Sequence, residues 1–381
     1  MVNLRSTSTS QHPVSLIPNP PHFLLPPSNF LLYPVSCTIH LFIPMANILI
    51  PYPQLQGTFE SILILHYKFS KSRASLCAEL FAKASLDGVA SHGANRFPVF
   101  LEMIRKEFVD PTAEAECMDS FGFFERWDGK LGPGNLNAHK CMDRAITLAK
   151  AHGVGMVALQ NTNHWMRAGN YGWQAVEEGC IGICFTNTKP NMPAWGGSEP
   201  KLGNNPLVVA IPRSKGPIVI DMAMSQFSYG RMSSYLREGK DLPFEAGFDS
   251  KGKLTNSPNE IIENEMALPA GLWKGAGLSL VLDMLSAYLS GGRSTAQIGE
   301  IGEEYGVSQI FLCFNPEKLG IGEASEEILD KIIEDLVSSK VFPGKEVRYP
   351  GENILKIREE NLQKGVPVNK EIWNKIQNEL T

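Results

Sequence analysis

The octapeptide SHGANRFP, residues 91–98, sets His92 four positions ahead of Arg96. Imidazole titrates near neutral pH and can hand a proton to a developing alkoxide. The guanidinium is a planar fork that matches a carboxylate. Together the two groups suit reduction of a carbonyl that lies beside an acid group. Read without function, the same segment is a helix entry in which His92 caps a helix end and Arg96 makes a surface ion pair; the span alone supports both readings. A second cluster, NTNHWMRAGNYGWQA at 161–175, places His164 among Asn163, Trp165 and Arg167, with Gly169 and Gly172 opening space beside them. It follows an apolar run, and strand C-termini are common seats for site residues in α/β proteins. Its plainer reading is a satisfied histidine and a core tryptophan at a strand end.

Three further segments carry weaker signals. In FTNTKPNMPAWGG (185–197), Asn187 and Thr188 could hydrogen-bond a ligand. Asp221 ends an apolar run in IDMAMSQ, where a carboxylate suits a ribose hydroxyl, fixes a histidine, or simply serves as an N-cap. Lys274 precedes two glycines in LWKGAG, as a partner for a cofactor phosphate or as an ordinary exposed lysine. Metal chemistry has no support, because HExxH and CxxC are absent and no two histidines three to five apart enclose an acid. A GxSxG nucleophile elbow is missing. GVGMVA (153–158) and GAGLSL (275–280) each lack the third glycine of the GxGxxG dinucleotide turn.

The elements that must hold these residues can be read from periodicity. SKSRASLCAELFAKASLDG predicts a helix with Leu76, Leu80, Phe81 and Ala84 on one face and Gly88 at its end. HKCMDRAITLAKAHG predicts another, with Met142, Ala145, Ile146 and Ala149 inward and Gly153 as the stop. VGMVALQNT (154–162) reads as a buried strand, YGWQAVEEG as a short helix, and CIGICFTNT (180–188) as a strand with Cys180 and Cys184 on one face. NPLVVAIP and PIVIDMA flank a Lys215-Gly216 turn and suggest a hairpin. LSLVLDMLSAYLSGG is a helix with Leu278, Leu282, Leu285 and Leu289 in register, stopped by Gly291 and Gly292. SQIFLCFNP is a further strand. EEILDKIIEDLVSS is amphipathic, with Ile328, Leu329, Ile332, Ile333 and Leu336 inward. ENILKIREENLQKG is expected to be the last helix, packing back onto the body. The result is an α/β (or α+β) chain of mixed order.

Composition sets the outer limits. The 381 residues are 43% hydrophobic and 20% charged, an ordinary globular balance. A net charge of −5 without a dense Lys/Arg run removes the footprint of a nucleic-acid or anionic-lipid binder, while a local arginine can still hold a small anion. Seven cysteines without a CxxC pair argue against a disulfide scaffold or zinc ribbon and for a reducing cytoplasm. Residues 1–44 hold eight prolines and one charged side chain, Arg5. They read as a disordered tail or as an upstream extension with initiation at Met45; the second is preferred, because globular patterning begins soon after Met45. One arginine is too few for a transit peptide, and no apolar run approaches the roughly 18 residues of a membrane span.

In order, SHGANRFP, NTNHWMRAGNYGWQA, LGNNPLVVAIP, IDMAMSQFSYG, LPAGLWKGAGLSLVLDML, YGVSQIF and YPGE resemble the type 2 malate/L-lactate dehydrogenase family, from about Met45 to the C-terminus. HWMRAGNYGWQA and FSYG resemble its branch that reduces 2,3-diketo-L-gulonate to 3-dehydro-L-gulonate. The resemblance implies NADH as cofactor, a homodimer, and a non-Rossmann fold in which a mixed-sheet α/β cofactor domain joins a helical domain built from both chain ends. The corresponding divisions are 45–120, 121–315 and 316–381. It implies His92 as proton donor, Arg96 facing the substrate, and His164 as a second active-site histidine. For the cofactor it implies Thr188, the run Pro217, Ile218, Val219, Ile220, Asp221, Met222 and Ala223, then Trp273 and Lys274, then Gly351, Glu352 and Asn353. Departures are Asn204 where the family often has threonine, Lys189 and Asn191 in a loop more apolar in that branch, and Glu352 where some members carry histidine. The rivals are a family oxidoreductase acting on malate, lactate or ureidoglycolate, a non-catalytic paralogue, and a metal-dependent hydrolase or lyase using His92, His139, His152 and His164.

Overall fold

In this computed structural model the described residues are 47–321 and 324–380. The proline-rich segment 1–44 and the start at Met45 lie outside them. After β1 (Asn47–Ile50), apolar residues recurring every three or four positions build α1 (Tyr52–His66) and α2 (Lys71–Leu86). They bury Leu55, Phe59, Ile62 and Leu63 against Ala78 and Phe81. A 3-10 turn at Ala90–His92 leads to α3 (Phe97–Arg105), with Pro98 in the first helical turn where its missing N–H costs nothing. Gly93 is required in between. A Cβ there would lie 2.1 Å from Ser85 Oγ and 2.8 Å from the Phe81 carbonyl, so only glycine lets the His92 turn close on the end of α2.

β2 (Glu116–Phe121) and β3 (Phe124–Asp128) then open the sheet, followed by α4 (Gly134–His152), β4 (Val154–Thr162), α5 (Gly169–Glu177) and β5 (Ile181–Thr186). A small pair, β6 (Met192–Pro193) and β7 (Pro200–Leu202), precedes the hairpin β8 (Leu207–Ile211) and β9 (Ile218–Met222). Next come α6 (Tyr229–Arg237), the pair β10 (Gly247–Phe248) and β11 (Leu254–Thr255), α7 (Pro258–Asn264), α8 (Trp273–Ser290), α9 (Thr295–Ile301) and β12 (Val307–Phe314). The main sheet runs β2-β3-β4-β12-β5-β8-β9; β3 and β4 are parallel and its other neighbours antiparallel. Alternation gives each face its own core. Val157, Leu159, Phe311, Cys313 and Cys184 pack with α4 and α5, while Ala158, Ile310 and Phe185 face Met224, Met232 and Leu282 on the other side. The mixed α/β class agrees with the sequence.

The chain closes with α10 (Ala324–Val337), α11 (Glu352–Lys364), β13 (Val366–Asn369) and α12 (Lys370–Asn378). β13 pairs antiparallel with β1, and Trp373 and Ile376 of α12 enter the core of α1, α2 and α3.

Several expectations need correction. α11 is not the last helix, since β13 and α12 come after it. The sheet starts at Glu116, so β2 lies mostly on the helical side of the 120/121 division. Within 316–381, α10 does not join the N-terminal helices; Asp330 pairs with Arg213 and Lys215 at the β8–β9 turn. Those ion pairs set the helix's rotation. Ile333 is inward, while Ile328, Ile332 and Leu336 are exposed. α8 shows the same inversion. It buries Leu282, as expected, but otherwise Gly275, Ala276, Ser279, Ser286 and Ser290, small residues that let it approach the sheet closely, and Leu278 and Leu285 turn outward.

Candidate active site

Two histidine rings meet where the helical part faces the sheet. Their centroids are 5.9 Å apart and their planes 19° from parallel. His92 ends the 3-10 turn that Gly93 holds against α2, and its Nδ1 lies 2.9 Å from Ser91 Oγ. That hydroxyl can donate or accept, so the contact permits either ring tautomer. Burial pushes His92 down to about 4, with Arg96 and Arg167 adding repulsion.

His164 follows β4 and is fixed more rigidly. Asn163 Nδ2 donates to the carbonyls of Phe108, Leu131 and Gly132. Gly134 lets the start of α4 pack on this loop, for a Cβ there would stand 2.1 Å from the Asn163 carbonyl oxygen. Met166 takes a left-handed φ of 65° and donates its N–H to His164 Nδ1 at 2.9 Å. Because Nδ1 accepts, the proton of the neutral ring sits on Nε2. That nitrogen lies 4.0 Å from Glu304 Oε1. Burial, then Arg96 and His92, hold the His164 pKa well below its ordinary value, so the ring is a neutral donor.

Arg96 caps α3 and lines the same cavity, where its guanidinium has no hydrogen-bond or ion-pair partner among the described residues. A buried cation without a partner is costly and points to an anionic ligand. The neighbouring lysines are committed: Lys189 pairs with Glu265, and Lys106 with Glu303. Arg167 forms a buried ion pair with Asp87, which also accepts two hydrogen bonds from Arg358 of α11. Burial alone would raise Asp87, but Arg358 and Arg167 outweigh it and hold the carboxyl low. This triad ties α2, the start of α5 and α11 together beside the cavity.

On the sheet side, Asp221 of β9 opens to the cavity yet is ringed by protein, and its Oδ2 accepts the Gly169 N–H at 2.8 Å. Burial raises this carboxyl, with Arg167 and the Gly169 amide opposing. Thr188 donates its backbone N–H to Asn205 Oδ1 at 2.9 Å, and Asn204 Oδ1 accepts from Asn191 Nδ2 at 2.9 Å. Asn204 therefore binds the loop that carries Asn191.

The cavity encloses about 820 Å³, room for a cofactor head and a small acid. A profile of malate/L-lactate dehydrogenases matches residues 50–377. The chain belongs to the malate/L-lactate dehydrogenase family. It is 44% identical over 331 residues to 2,3-diketo-L-gulonate reductase of Citrobacter koseri, covering 86% of this chain and 99% of that protein. Among solved structures, malate dehydrogenase of Entamoeba histolytica superposes with a TM-score of 0.82 at 26% identity, over 87% of this chain and 97% of that one. Sulfolactate dehydrogenase of Methanocaldococcus jannaschii does so with 0.77 at 30% identity, over 87% and 97%. Membership makes the protein an oxidoreductase and implies a nicotinamide cofactor.

The residues suit such a group. Val219, Ile220, Trp173 and Ile354 give an apolar wall beside the Asp221 carboxylate. Gly351 lines the cavity at the N-terminus of α11 with φ of 93°, and no side chain caps that helix end. A Cβ on Gly351 would stand 3.0 Å from the Val219 nitrogen, so glycine keeps this approach open. Of the expected site residues, the cavity brings together His92, Arg96, His164, Thr188, Val219, Ile220, Asp221, Ala223 and Gly351. Pro217, Ile218, Met222, Glu352 and Asn353 adjoin these in sequence without lining it. Trp273 and Lys274 stand exposed at the start of α8, away from the lining. Sequence reasoning missed Glu304, Glu265, Asp87 and Arg358. The acidic pair in GEEYG, between two glycines, was the available signal for Glu304.

Proposed function

We propose that the protein reduces the C2 carbonyl of a 2-oxo sugar acid, 2,3-diketo-L-gulonate, to give 3-dehydro-L-gulonate with NADH. The observation that carries this reading is the unpartnered Arg96 guanidinium in one cavity with two stacked histidines. The name of the Citrobacter relative, at 44% identity, supports the substrate. Arg96 holds the substrate carboxylate through paired hydrogen bonds. His164, with its proton on Nε2, donates to the carbonyl oxygen and polarises it. His92 delivers the proton to that oxygen as alkoxide charge develops. The nicotinamide cofactor, when bound, supplies the hydride. A carboxylate resting on Arg96 offsets the charge that depresses His92, so substrate binding raises the proton affinity of the donor.

NADH is favoured over NADPH because the Asp221 carboxylate, open to the cavity, would repel a 2′-phosphate. A homodimer is favoured by the outward apolar face of α8, where Val281, Met284 and Tyr288 are exposed. The low cysteine content favours the cytoplasm. Among the described residues no helix is long and apolar enough to cross a membrane. A screen of 2-oxoacids with NADH and NADPH, read by nicotinamide absorbance, tests the proposal. The expected result is the highest kcat/KM for 2,3-diketo-L-gulonate with NADH. A higher value for malate's, lactate's or ureidoglycolate's oxo acid, or for NADPH, overturns the corresponding part.

A further inference from the structure

After the internal ion pairs are counted, two charges at the histidine end of the cavity remain without a salt-bridge partner among the described residues at bonding distance. One is Arg96; the other is Glu304. Glu304 sits in the connection from α9 to β12, and the residues on either side of it are anchored to the helical part. Glu303 pairs with Lys106 at 3.7 Å, and the Tyr305 ring stacks on Phe108 with centroids 4.7 Å apart. Between these anchors the Glu304 side chain enters the cavity, 19% exposed. Its Oε2 accepts the Lys189 N–H at 3.3 Å, while Oε1 faces His164 Nε2 across 4.0 Å and makes no hydrogen bond. That gap leaves Oε1 free to accept from a ligand.

We propose that Glu304 is a specificity-determining residue that admits monocarboxylic 2-oxoacids carrying hydroxyl groups and rejects dicarboxylic ones. Among the described residues lining the cavity, a carboxylate has one cation without a salt-bridge partner to meet, Arg96. A second carboxylate on the substrate would find Lys189 and Lys106 already paired and would face Glu304 at close range, where like charges repel strongly in a partly desolvated site. A hydroxyl in the same place donates to Glu304 Oε1 and satisfies it. This inference rests on the reductase reading for its chemistry, but not on which sugar acid is used.

The test compares pyruvate with oxaloacetate, which differ by one carboxylate, and with 2,3-diketo-L-gulonate, in the wild type, Glu304→Gln and Glu304→Asp at saturating NADH. The wild type is expected to favour pyruvate over oxaloacetate by at least about tenfold in kcat/KM. Glu304→Gln should raise kcat/KM for oxaloacetate about tenfold or more while lowering it for the sugar acid, and Glu304→Asp should keep the wild-type order. A gain on oxaloacetate cannot come from misfolding. Wild-type preference for oxaloacetate, or a Glu304→Gln variant whose three activities fall together or stay unchanged, overturns the proposal. If 2,3-diketo-L-gulonate is not reduced while the pyruvate-to-oxaloacetate ratio shifts as stated, the sugar-acid reading fails and the charge rule stands.

Discussion

His92 and His164 stack ring on ring in one cavity, and burial with the charge of Arg96 depresses both. They differ in what holds Nδ1. At the turn before α3 the partner is a hydroxyl, which can reverse its hydrogen bond when the ring changes its proton. At the end of β4 the partner is a backbone amide, which can only donate. Protonating His164 on Nδ1 would break that bond, and the left-handed Met166 that supplies it leaves little freedom to rearrange. One ring is thus built to exchange a proton, the other to keep one. Two histidines in the same electrostatic setting take different roles from the hydrogen bond behind each ring.

The largest effect expected from breaking this asymmetry is at His92. His92→Ala should lower kcat roughly 10²–10⁴-fold, or about 3–5 kcal/mol, with NADH affinity nearly unchanged by fluorescence titration. Near wild-type turnover on every 2-oxoacid would refute its role as donor. His164→Ala should cost roughly 10²-fold in kcat, the scale for loss of one positioned donor, and His164→Gln, which keeps an N–H, should recover part of it. If the glutamine variant is no better than alanine, donation from Nε2 is not what His164 contributes. Arg96→Lys keeps the charge without the fork, so KM should rise about tenfold and kcat change less. Ser91→Ala should do least, about threefold or below in kcat, because it removes one neutral hydrogen bond. A larger loss there would mean that the hydroxyl takes part in proton delivery.

Much of this arrangement was legible from the sequence because it is local. β4 ends where VGMVALQNT ends, the β8–β9 hairpin forms around Lys215-Gly216, and both histidine segments keep their chemistry within a few residues. What was hidden depends on distant partners. Apart from Leu282, the buried stripe of α8 is made of glycine, alanine and serines, so Leu278 and Leu285 marked the wrong face. On α10 the pairing of Asp330 with Arg213 decides the rotation, and nothing in EEILDKIIEDLVSS names that arginine. Glu304 lies far along the chain from His164 and enters the site only because Glu303 and Tyr305 are pinned to Lys106 and Phe108. One of the two partners of Asp87 is likewise Arg358, visible only once α11 lies on α2.

Protonation gives the most direct test of the central claim that His92, and not His164, changes its proton in turnover. Reduction uses the protonated donor, so its rate should fall as pH rises through the donor's pKa. With NADH saturating, kcat/KM reports the substrate-free value, held down to about 4, whereas kcat reports the complex, where a carboxylate on Arg96 relieves part of the repulsion. The wild type should therefore show a higher apparent pKa in kcat than in kcat/KM. Measured from about pH 5 to pH 9, His164→Gln should keep that pH dependence at reduced height, and His92→Gln should lose both the height and the dependence. A pH dependence that survives in His92→Gln and disappears in His164→Gln would contradict the account.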